Sequence, residues 1–297
     1  MRILIVGASS FFGGHLRPAF SAAGHTVLTA GRSGDWDLRM DLTADPVQRV
    51  AELLASAAPD VVVNCAGATV GAADVLAAAN ITAVHTLVTA LLAWPGNGAR
   101  PPVRLVHIGS AAEYGSVTPG VPVTEGAVPR PAGLYGATKL GGTRLVELTR
   151  SAGADAVVLR LFNVVGAGSP ENTLPGAAVA QLRHGGSLKL GPLDAVRDFV
   201  DARDAADAVL AAATAAELPH AIVNIGSGTG VQARVLVREL LSAAGLEVAV
   251  HEDAPGSARS AGLLWQQADI ARAHADLGWR PRRDLADSVR DLWDGAS

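Results

Sequence analysis

The chain has 297 residues, of which 49% are hydrophobic and 18% charged, and its net charge is −4; it can bury a sizeable core and lacks the composition of a disordered protein. It contains no basic block, one cysteine and no histidine pair at metal-ligand spacing, so we expect no nucleic-acid partner, no internal disulfide and no metal site. The apolar run at the N-terminus is too short for a signal peptide, and we expect no later segment to span a membrane, which favours a cytoplasmic protein.

Short β-branched runs alternate along the chain with long stretches rich in alanine and leucine. This alternation predicts βαβ units around a parallel sheet, and right-handed crossovers make it one doubly wound Rossmann sheet of the α/β class. The predicted strands are Arg2–Val6, Thr26–Ala30, Asp60–Asn64, Arg104–Ile108, Ala156–Leu161 and Ala221–Ile225. The predicted helices are Gly14–Ala23, Pro46–Ala57, Ala72–Ala93, Tyr135–Ala152, Val231–Ala244 and Asp284–Leu292.

The character of the sequence changes after about Val165, where turns rich in glycine and proline become frequent. We therefore predict a dinucleotide-binding Rossmann domain and a smaller C-terminal substrate-binding region. The first comprises residues 1–165, with 199–226 returning to it, and the second comprises residues 166–198 and 227–297. No low-complexity linker separates them, so the two parts should pack as one unit.

A glycine-bearing turn joins the first predicted strand to the first helix. Such a turn aims backbone N–H groups and the helix N-terminus at a pyrophosphate. Gly7 permits the turn and Gly13 lets the helix approach the strand, while Ser10 replaces a middle glycine and can donate its hydroxyl to phosphate. An ordinary strand–helix turn is the alternative. The cofactor contacts predicted from this turn are Gly7, Ser9, Ser10, Phe11, Phe12 and Gly13.

The end of the second predicted strand bears on the choice of cofactor. An NAD-specific site is expected to place a carboxylate there for the ribose 2′-OH. The chain has Arg32 instead, which can pair with a 2′-phosphate, so we favour NADP(H) over NAD(H); a solvated surface arginine is the alternative. Asp41 and Leu42 follow and could contact adenine, although a helix-capping or surface aspartate would explain the first of them equally well.

Three polar side chains are predicted to meet where the fourth predicted strand ends. Tyr135 and Lys139 lie four residues apart at the start of a helix, which puts both on one face. An ammonium group near a phenol favours the phenolate, so the tyrosine can deliver or remove the proton of a carbinol. Ser110 ends the strand and can polarise the same carbonyl oxygen. We therefore predict that Ser110, Tyr135 and Lys139 are catalytic.

These features together resemble the extended short-chain dehydrogenase/reductase superfamily, in its NAD-dependent epimerase/dehydratase group. The resemblance runs over essentially the whole chain. It is carried by the phosphate turn, Ser110, Tyr135-x-x-x-Lys139, Leu159–Gly166, Arg197–Asp204 and Asp276–Pro281. It implies that the N-terminal sheet binds the dinucleotide and that the C-terminal part binds a nucleotide-diphosphate sugar. Besides the residues of the phosphate turn and the end of the second strand, the residues predicted to bind the cofactor are Ala66, Gly67, Ala68, Tyr135, Lys139, Phe162 and Val164.

The substrate site is predicted from polar residues in the loops around this sheet edge. Guanidinium groups suit a diphosphate because they offer bidentate, charge-assisted contacts, although surface ion pairs are the alternative for each arginine. Asn163 could hold a sugar or phosphate oxygen or cap the following turn. The predicted substrate-site residues are Thr69, Ser110, Asn163, Asn172, Arg197 and Arg259.

The residues after Ser110 narrow the reaction. The 4,6-dehydratases of this family carry an Asp-Glu pair there, whereas this chain has Ala111 and Ala112, so dehydration lacks its acid/base groups. Glu113 before Tyr114, together with Gly191–Phe199, resembles the GDP-6-deoxy-4-ketohexose reductases. Those enzymes transfer a hydride from NADPH to the C4 ketone of a 4-keto-6-deoxy sugar nucleotide, with the proton predicted here to come from the catalytic tyrosine.

Two alternative functions stay open. A nucleotide-sugar 4-epimerase with tightly bound NAD would share the catalytic residues, but Arg32 favours the reductase, because a dissociating NADPH suits a one-way reduction. A non-catalytic dinucleotide-binding sensor is suggested by Ser10 in the phosphate turn and opposed by the intact catalytic set. In this family helices such as Ala72–Ala93 and Tyr135–Ala152 often pair across a dimer, so we expect a homodimer; packing on the sheet alone is the alternative.

Overall fold

The computed structural model describes residues 1–94, 102–255 and 263–295. In chain order the strands are β1 (Arg2–Val6), β2 (Thr26–Gly31), β3 (Leu38–Arg39), β4 (Val61–Asn64), β5 (Arg104–Ser110), β6 (Ala156–Leu161), β7 (Asn163–Val165), β8 (Leu188–Lys189), β9 (Val196–Asp201), β10 (Ile222–Ile225), β11 (Gly230–Gln232), β12 (Val250–His251) and β13 (Trp265–Gln266). The α-helices are α1 (Phe11–Ala22), α2 (Val47–Ala57), α3 (Ala73–Ala77), α4 (Ala83–Ala93), α5 (Leu134–Ser151), α6 (Leu174–His184), α7 (Ala202–Thr214), α8 (Ala233–Ala244), α9 (Ala271–Leu277) and α10 (Leu285–Asp294).

The central sheet contains seven parallel strands in the order β10-β6-β5-β4-β1-β2-β3. The chain winds outward from β1 in both directions, as in a doubly wound Rossmann sheet. The predicted α/β class is therefore confirmed. The last strand, β10, reaches the sheet edge from α7, well after the chain has left β6.

Alternating apolar side chains explain why helices cover both faces of this sheet. In β1, Ile3 and Ile5 share a core with residues of α1 and α7, whereas Leu4 and Val6 share one with α2, α4 and α5. Successive side chains of a strand point to opposite faces, so a strand that is apolar throughout must be covered twice.

The C-terminal region is built from short strands and from helices that include α6, α8 and α10. Strand β9 pairs with β7, β11 and β13, and β8 pairs with β12. Helices α6, α8 and α10 enclose a core that includes Leu182, Leu236 and Val289. The sequence did not predict these strands, because segments of two to six residues show too little alternation to be recognised. It also did not predict α7 or α9.

The predicted helix Ala72–Ala93 differs from expectation in two ways. It is interrupted between α3 and α4 by one π-helical segment, Ala78–Thr82, which carries the buried Asn80. Contrary to the expectation that no segment would qualify, Ala73–Ala93 is long and apolar enough to cross a membrane by length and composition. Half of that stretch is buried inside the fold, and core helices that pack on a sheet meet the same criterion.

Candidate active site

The phosphate turn is packed so tightly that two of its glycines are required. Gly7 has a φ of +80°, and a Cβ atom there would lie 2.6 Å from the backbone nitrogen of Ala66. A Cβ atom on Gly13 would lie 2.5 Å from the carbonyl oxygen of Gly7. The turn therefore packs directly against the chain that follows β4. The close approach of α1 to the turn at Gly13 agrees with the sequence-based expectation.

Helix α1 begins at Phe11 and leaves its N-terminus open toward the turn. Ser10 is its N-cap, and its Oγ accepts the Gly13 N–H at 3.0 Å. Since the oxygen is the acceptor in that bond, the hydroxyl hydrogen can still be donated to a phosphate. Phe12 is buried in the core, so its contribution to a cofactor site is through its backbone. Positive-φ glycine, close backbone packing and an open helix N-terminus fit a bound pyrophosphate.

The loop after β4 is fixed by a buried asparagine. Asn80 accepts the Ala68 N–H at 3.0 Å and donates to the Ala68 carbonyl at 2.9 Å and to Thr138 Oγ1 at 3.0 Å. The π-helical segment thus ties the loop of Ala66, Gly67 and Ala68 to α5, the helix that carries the predicted catalytic tyrosine and lysine.

A basic cavity lies where β2 ends. It has a volume of about 410 Å³ and is lined by Arg32, Arg39, Asp41, Ala44, Asp45 and Arg49. The nearby carboxylate of Asp37 accepts the backbone N–H and the hydroxyl of Thr29, both at 2.8 Å. These hydrogen bonds lower the pKa of Asp37. Asp41 is likewise engaged, with Thr43 at 2.6 and 2.9 Å, and the predicted Leu42 is buried.

The two elements that carry the predicted catalytic residues, β5 and α5, meet at the end of β5. Ser110 is the last residue of that strand, and its Oγ accepts the Ala112 N–H at 3.2 Å. Lys139 is buried and donates from Nζ to the Ile108 carbonyl at 2.5 Å. A Cβ atom on Gly136 would lie 2.4 Å from the Ala112 carbonyl oxygen. The first turn of α5, which begins with Leu134 and Tyr135, therefore contacts the turn after Ser110.

That turn presents no carboxylate for acid/base work. Ala111 to Glu113 form one 3₁₀ turn. The carboxylate of Glu113 is fully buried and accepts the Ser110 N–H at 2.8 Å and Arg160 Nε at 2.8 Å. Sequence reasoning had used Glu113 only as a mark of resemblance and had missed Arg160; a charged residue inside the apolar strand β6 was the available signal.

The predicted substrate residues lie in two places around this edge. Asn172 Nδ2 donates to Thr69 Oγ1 at 3.1 Å, which joins the loop after β4 to the segment before α6. Asn163 donates to the Asp198 carbonyl at 3.0 Å, while Phe162 is buried beside Tyr114 and Val164 pairs with β9. Arg259 lies outside the described residues.

Arg197 is a buried cation. Its guanidinium donates to the carbonyls of Val196 and Leu263 at 2.8 and 2.6 Å, and within the described part of the chain it contacts no carboxylate. Burial lowers its pKa. A buried cation without a counter-charge is costly, and an anionic ligand would offset that cost.

Comparison with known proteins places this geometry in a family. The model of the NAD dependent epimerase/dehydratase family matches residues 3–226. The chain belongs to this family. Its members include NAD(P)-dependent oxidoreductases and epimerases that act on sugar nucleotides, and the phosphate turn fits the dinucleotide that they bind.

Two relatives and one solved structure are similar over nearly the whole chain. The dTDP-6-deoxy-L-talose 4-dehydrogenase (NAD(P)(+)) of Kitasatospora kifunensis is 37% identical, over 100% of this chain and 96% of its own. The GDP-6-deoxy-D-mannose reductase of Pseudomonas aeruginosa is 28% identical, over 98% and 95%. The structure of RMD from Pseudomonas aeruginosa complexed with NADPH is 25% identical, with a TM-score of 0.84 over 99% and 98%.

In this epimerase/dehydratase family member, two further buried residues join the C-terminal region to the loops at the sheet edge, and sequence reasoning assigned no role to either. The Asp198 carboxylate accepts the backbone N–H groups of Ser227, Gly228 and Ala268 at 2.6, 3.0 and 3.0 Å. Gln266 donates to the Ala111 carbonyl at 2.7 Å. Both residues act through backbone atoms far away in sequence, which no local pattern reveals.

The fit of the phosphate turn generates a prediction for Gly7→Ala. A non-glycine residue at positive φ costs about 1–2 kcal/mol, and the new methyl group would displace Ala66 from the cofactor side of the turn. We expect at least about tenfold weaker NADPH binding, since each 1.4 kcal/mol is about tenfold in affinity. Fluorescence titration measures it.

Gly14→Ala is the matched control, because a Cβ atom there meets nothing within 4 Å. It should leave the affinity unchanged and stabilise α1 by about 0.5–1 kcal/mol. Equal loss of NADPH binding in both variants would contradict the role given to the turn.

Proposed function

We propose that the protein is an NAD(P)H-dependent reductase of the C4 ketone of a 4-keto-6-deoxy sugar nucleotide. The observation that carries this proposal is the edge formed by β5 and α5. Ser110 ends β5, and α5 carries Tyr135 and Lys139. The one carboxylate of the turn beside them, on Glu113, is buried and accepts from the Ser110 N–H and from Arg160. Such a site can move a hydride and a proton but has no second acid/base group for eliminating water.

The names of the two relatives support the same reaction type, the interconversion of a ketone and an alcohol. One is a 4-dehydrogenase of a dTDP-linked 6-deoxy sugar, and the other is a reductase named for a GDP-linked 6-deoxy sugar. Dehydrogenation of a carbinol and reduction of a ketone are the two directions of one reaction. The intact catalytic set also opposes a non-catalytic sensor, which needs no buried lysine or positioned serine.

The mechanism assigns one task to each residue. When bound, a reduced nicotinamide would supply the hydride for the carbonyl carbon. Tyr135 donates its phenolic proton to the carbonyl oxygen, so that one C–H and one O–H bond replace the C=O π bond, and the phenolate recovers a proton from solvent. Ser110 Oγ, which accepts from Ala112, uses its hydroxyl hydrogen to hold the same oxygen. Lys139 supplies a positive charge that stabilises the negative charge formed in this step.

The substrate would lie across the C-terminal region. Arg197 supplies a buried positive charge for the diphosphate, and Arg259 is proposed as a second contact for it. The hydrogen-bonded pair of Thr69 and Asn172 is proposed to face the sugar, with Asn163 holding a further oxygen. This arrangement predicts recognition of a nucleotide diphosphate, and the base is to be identified among dTDP- and GDP-linked sugars.

The proposed cofactor is NADPH in preference to NADH. The cavity at the end of β2 brings Arg32 together with Arg39 and Arg49, which gives a 2′-phosphate a cationic environment. The carboxylates of Asp37 and Asp41 each use one oxygen for protein donors, Thr29 and Thr43 respectively, and a ribose 2′-OH on either carboxylate is the competing NADH arrangement that the titration below tests.

The first prediction concerns Tyr135→Phe. Loss of the general acid should lower kcat by about 100-fold to 10,000-fold, while the Kd for NADPH should be unchanged, because the phenol is not used to bind the dinucleotide phosphates. NADPH consumption is measured against a panel of dTDP- and GDP-linked 4-keto-6-deoxyhexoses. Wild-type turnover of the C4 epimers without net NADPH consumption would instead identify an epimerase, and an undiminished rate in the variant would remove Tyr135 from the mechanism.

The second prediction concerns Arg32→Ala. Hydrogen bonds to charged groups contribute about 1.5–3 kcal/mol, so NADPH should bind roughly tenfold to 100-fold more weakly while NADH binding stays the same. Arg238→Ala, which removes an exposed arginine of α8, is the control and should change neither affinity. Equal weakening of both cofactors by Arg32→Ala would argue against a 2′-phosphate contact.

We also propose a homodimer formed by α4 and α5. Large apolar side chains lie exposed on these adjacent helices, including Leu92 at 47%, Leu134 at 58% and Leu148 at 67% exposure. Exposed apolar side chains on two neighbouring helices support a contact with a second copy. Leu148→Arg should halve the mass measured by sedimentation equilibrium, whereas Leu246→Arg, at an exposed leucine after α8, should not. A monomeric wild type would refute the dimer.

A further inference from the structure

Glu113 is a fully buried carboxylate that the proposed reaction does not use. Its two oxygens have separate partners: Oε1 accepts the Ser110 N–H at 2.8 Å, and Oε2 accepts Arg160 Nε at 2.8 Å. One carboxylate therefore connects the end of β5, where the catalytic serine lies, to a charged side chain of β6.

Arg160 makes few polar contacts besides its bond to Glu113. Its side chain is 1% exposed, and its guanidinium carbon lies 4.6 Å from the ring centre of Tyr114. Within the described residues its two terminal nitrogens make no hydrogen bond of good geometry. The cation thus compensates the charge of Glu113 and stacks on an aromatic ring, but it does not reach Ser110.

The carboxylate of Glu113 fits beside β5 only because residue 109 is a glycine. A Cβ atom on Gly109 would lie 2.9 Å from Glu113 Oε1 and 2.8 Å from Val158 Cγ1. Ser110 and Glu113 form a capping box around the 3₁₀ turn, in which each side chain accepts a backbone N–H. Buried ion pairs are poor stabilisers compared with well-packed apolar residues, so the Arg160 contact alone gives little reason for a carboxylate here. A charge-assisted bond to the Ser110 N–H gives a specific one, because such bonds are short and directional.

We propose that Glu113 is a positioning residue that fixes Ser110 through Oε1, and that Arg160 only neutralises the carboxylate through Oε2. The consequence for turnover rests on the proposed function of Ser110. Glu113 holds the backbone of Ser110, and the Ala112 N–H holds its Oγ, so the hydroxyl is presented in one direction. A displacement of about 1 Å at such a site can cost about 100-fold in rate. If the ion pair served only to stabilise the fold, removing Glu113 or Arg160 would have similar effects on kcat. Under this proposal the loss of Glu113 lowers kcat far more than the loss of Arg160.

The test compares four variants by kcat, KM and thermal unfolding. Glu113→Ala should lower kcat by about 100-fold with little change in the KM for the sugar. Arg160→Met leaves Oε1 on Ser110 and should lower the melting temperature but keep kcat within a few-fold. Glu113→Gln offers one oxygen to two donors, and the charged Arg160 should take it, so kcat should also fall. Glu113→Gln combined with Arg160→Met returns that oxygen to Ser110 and should restore most of the lost kcat.

Recovery in the double variant is the result that a structural brace does not give, since a brace would lose further stability and turnover with each change. Arg104→Met is the matched control. It breaks the 2.9 Å ion pair with Asp155 at the other end of β5, and it should lower the melting temperature without changing kcat. If Glu113→Ala does not fold, the Glu113→Gln variant and the double variant decide the question.

A second measurement does not depend on the reaction. Hydrogen exchange at the Ser110 amide should accelerate in Glu113→Ala beyond the change in global stability, and should stay protected in Arg160→Met. The proposal is overturned if folded Glu113→Ala keeps wild-type kcat and amide protection, or if Arg160→Met loses as much of both as Glu113→Ala. A wild type inactive on every sugar would refute the proposed function, and the exchange data would then still decide the role of Glu113.

Discussion

Strands β4, β5 and β6 pair in parallel, with Asn64 opposite His107 and Ser110 opposite Leu161. In a parallel sheet the carboxyl ends of all strands lie at one edge, where ligands of doubly wound folds bind. The phosphate turn after β1, the loop after β4 and the serine at the end of β5 are therefore neighbours, although many residues separate them in the chain. The side-chain bond between Asn64 and His107, at 3.1 Å, reinforces the pairing close to that edge.

Charge at this edge is distributed unevenly. Glu113 and Arg160 compensate each other, and Asp198 is surrounded by backbone N–H groups. Burial, together with the charge of Lys139, lowers the pKa of His107 well below its ordinary value, so the imidazole is neutral and adds no charge. Arg197 differs from these groups because within the described residues it has only carbonyl partners. Among the described residues Arg197 is thus a buried cation without a carboxylate partner, which supports the anionic ligand proposed for it.

Local patterns were sufficient for six of the seven strands of the central sheet, but not for the two-residue strand β3 or for the buried contacts around the sheet edge. Strands β1 and β6 were predicted with the bounds that the structure shows, since apolar β-branched runs of five or six residues between turns have few other interpretations. The phosphate turn and the pair Tyr135 and Lys139 were found for the same reason, because their spacing lies within one element. Glu113 and Arg160 are 47 residues apart and meet only because β5 and β6 are adjacent. A pairing that depends on strand order is not contained in any local window.

The 3₁₀ turn after Ser110 explains why a carboxylate at this position supports the serine. Such a turn has about three residues per turn, so side chains at i and i+3 lie one above the other. Glu113 is therefore placed beneath Ser110, with a carboxylate oxygen against the serine N–H, whereas Ala111 and Ala112 project from other sides of the turn. An acidic residue at position 111 or 112 would project from the turn and could act on a substrate. At position 113, one residue further, the carboxylate instead lies against the Ser110 N–H, where we propose that it positions the serine hydroxyl. The absence of acid at Ala111 and Ala112 and the presence of Glu113 are thus two consequences of one local geometry, and both suit a reaction that requires only a hydride and a proton.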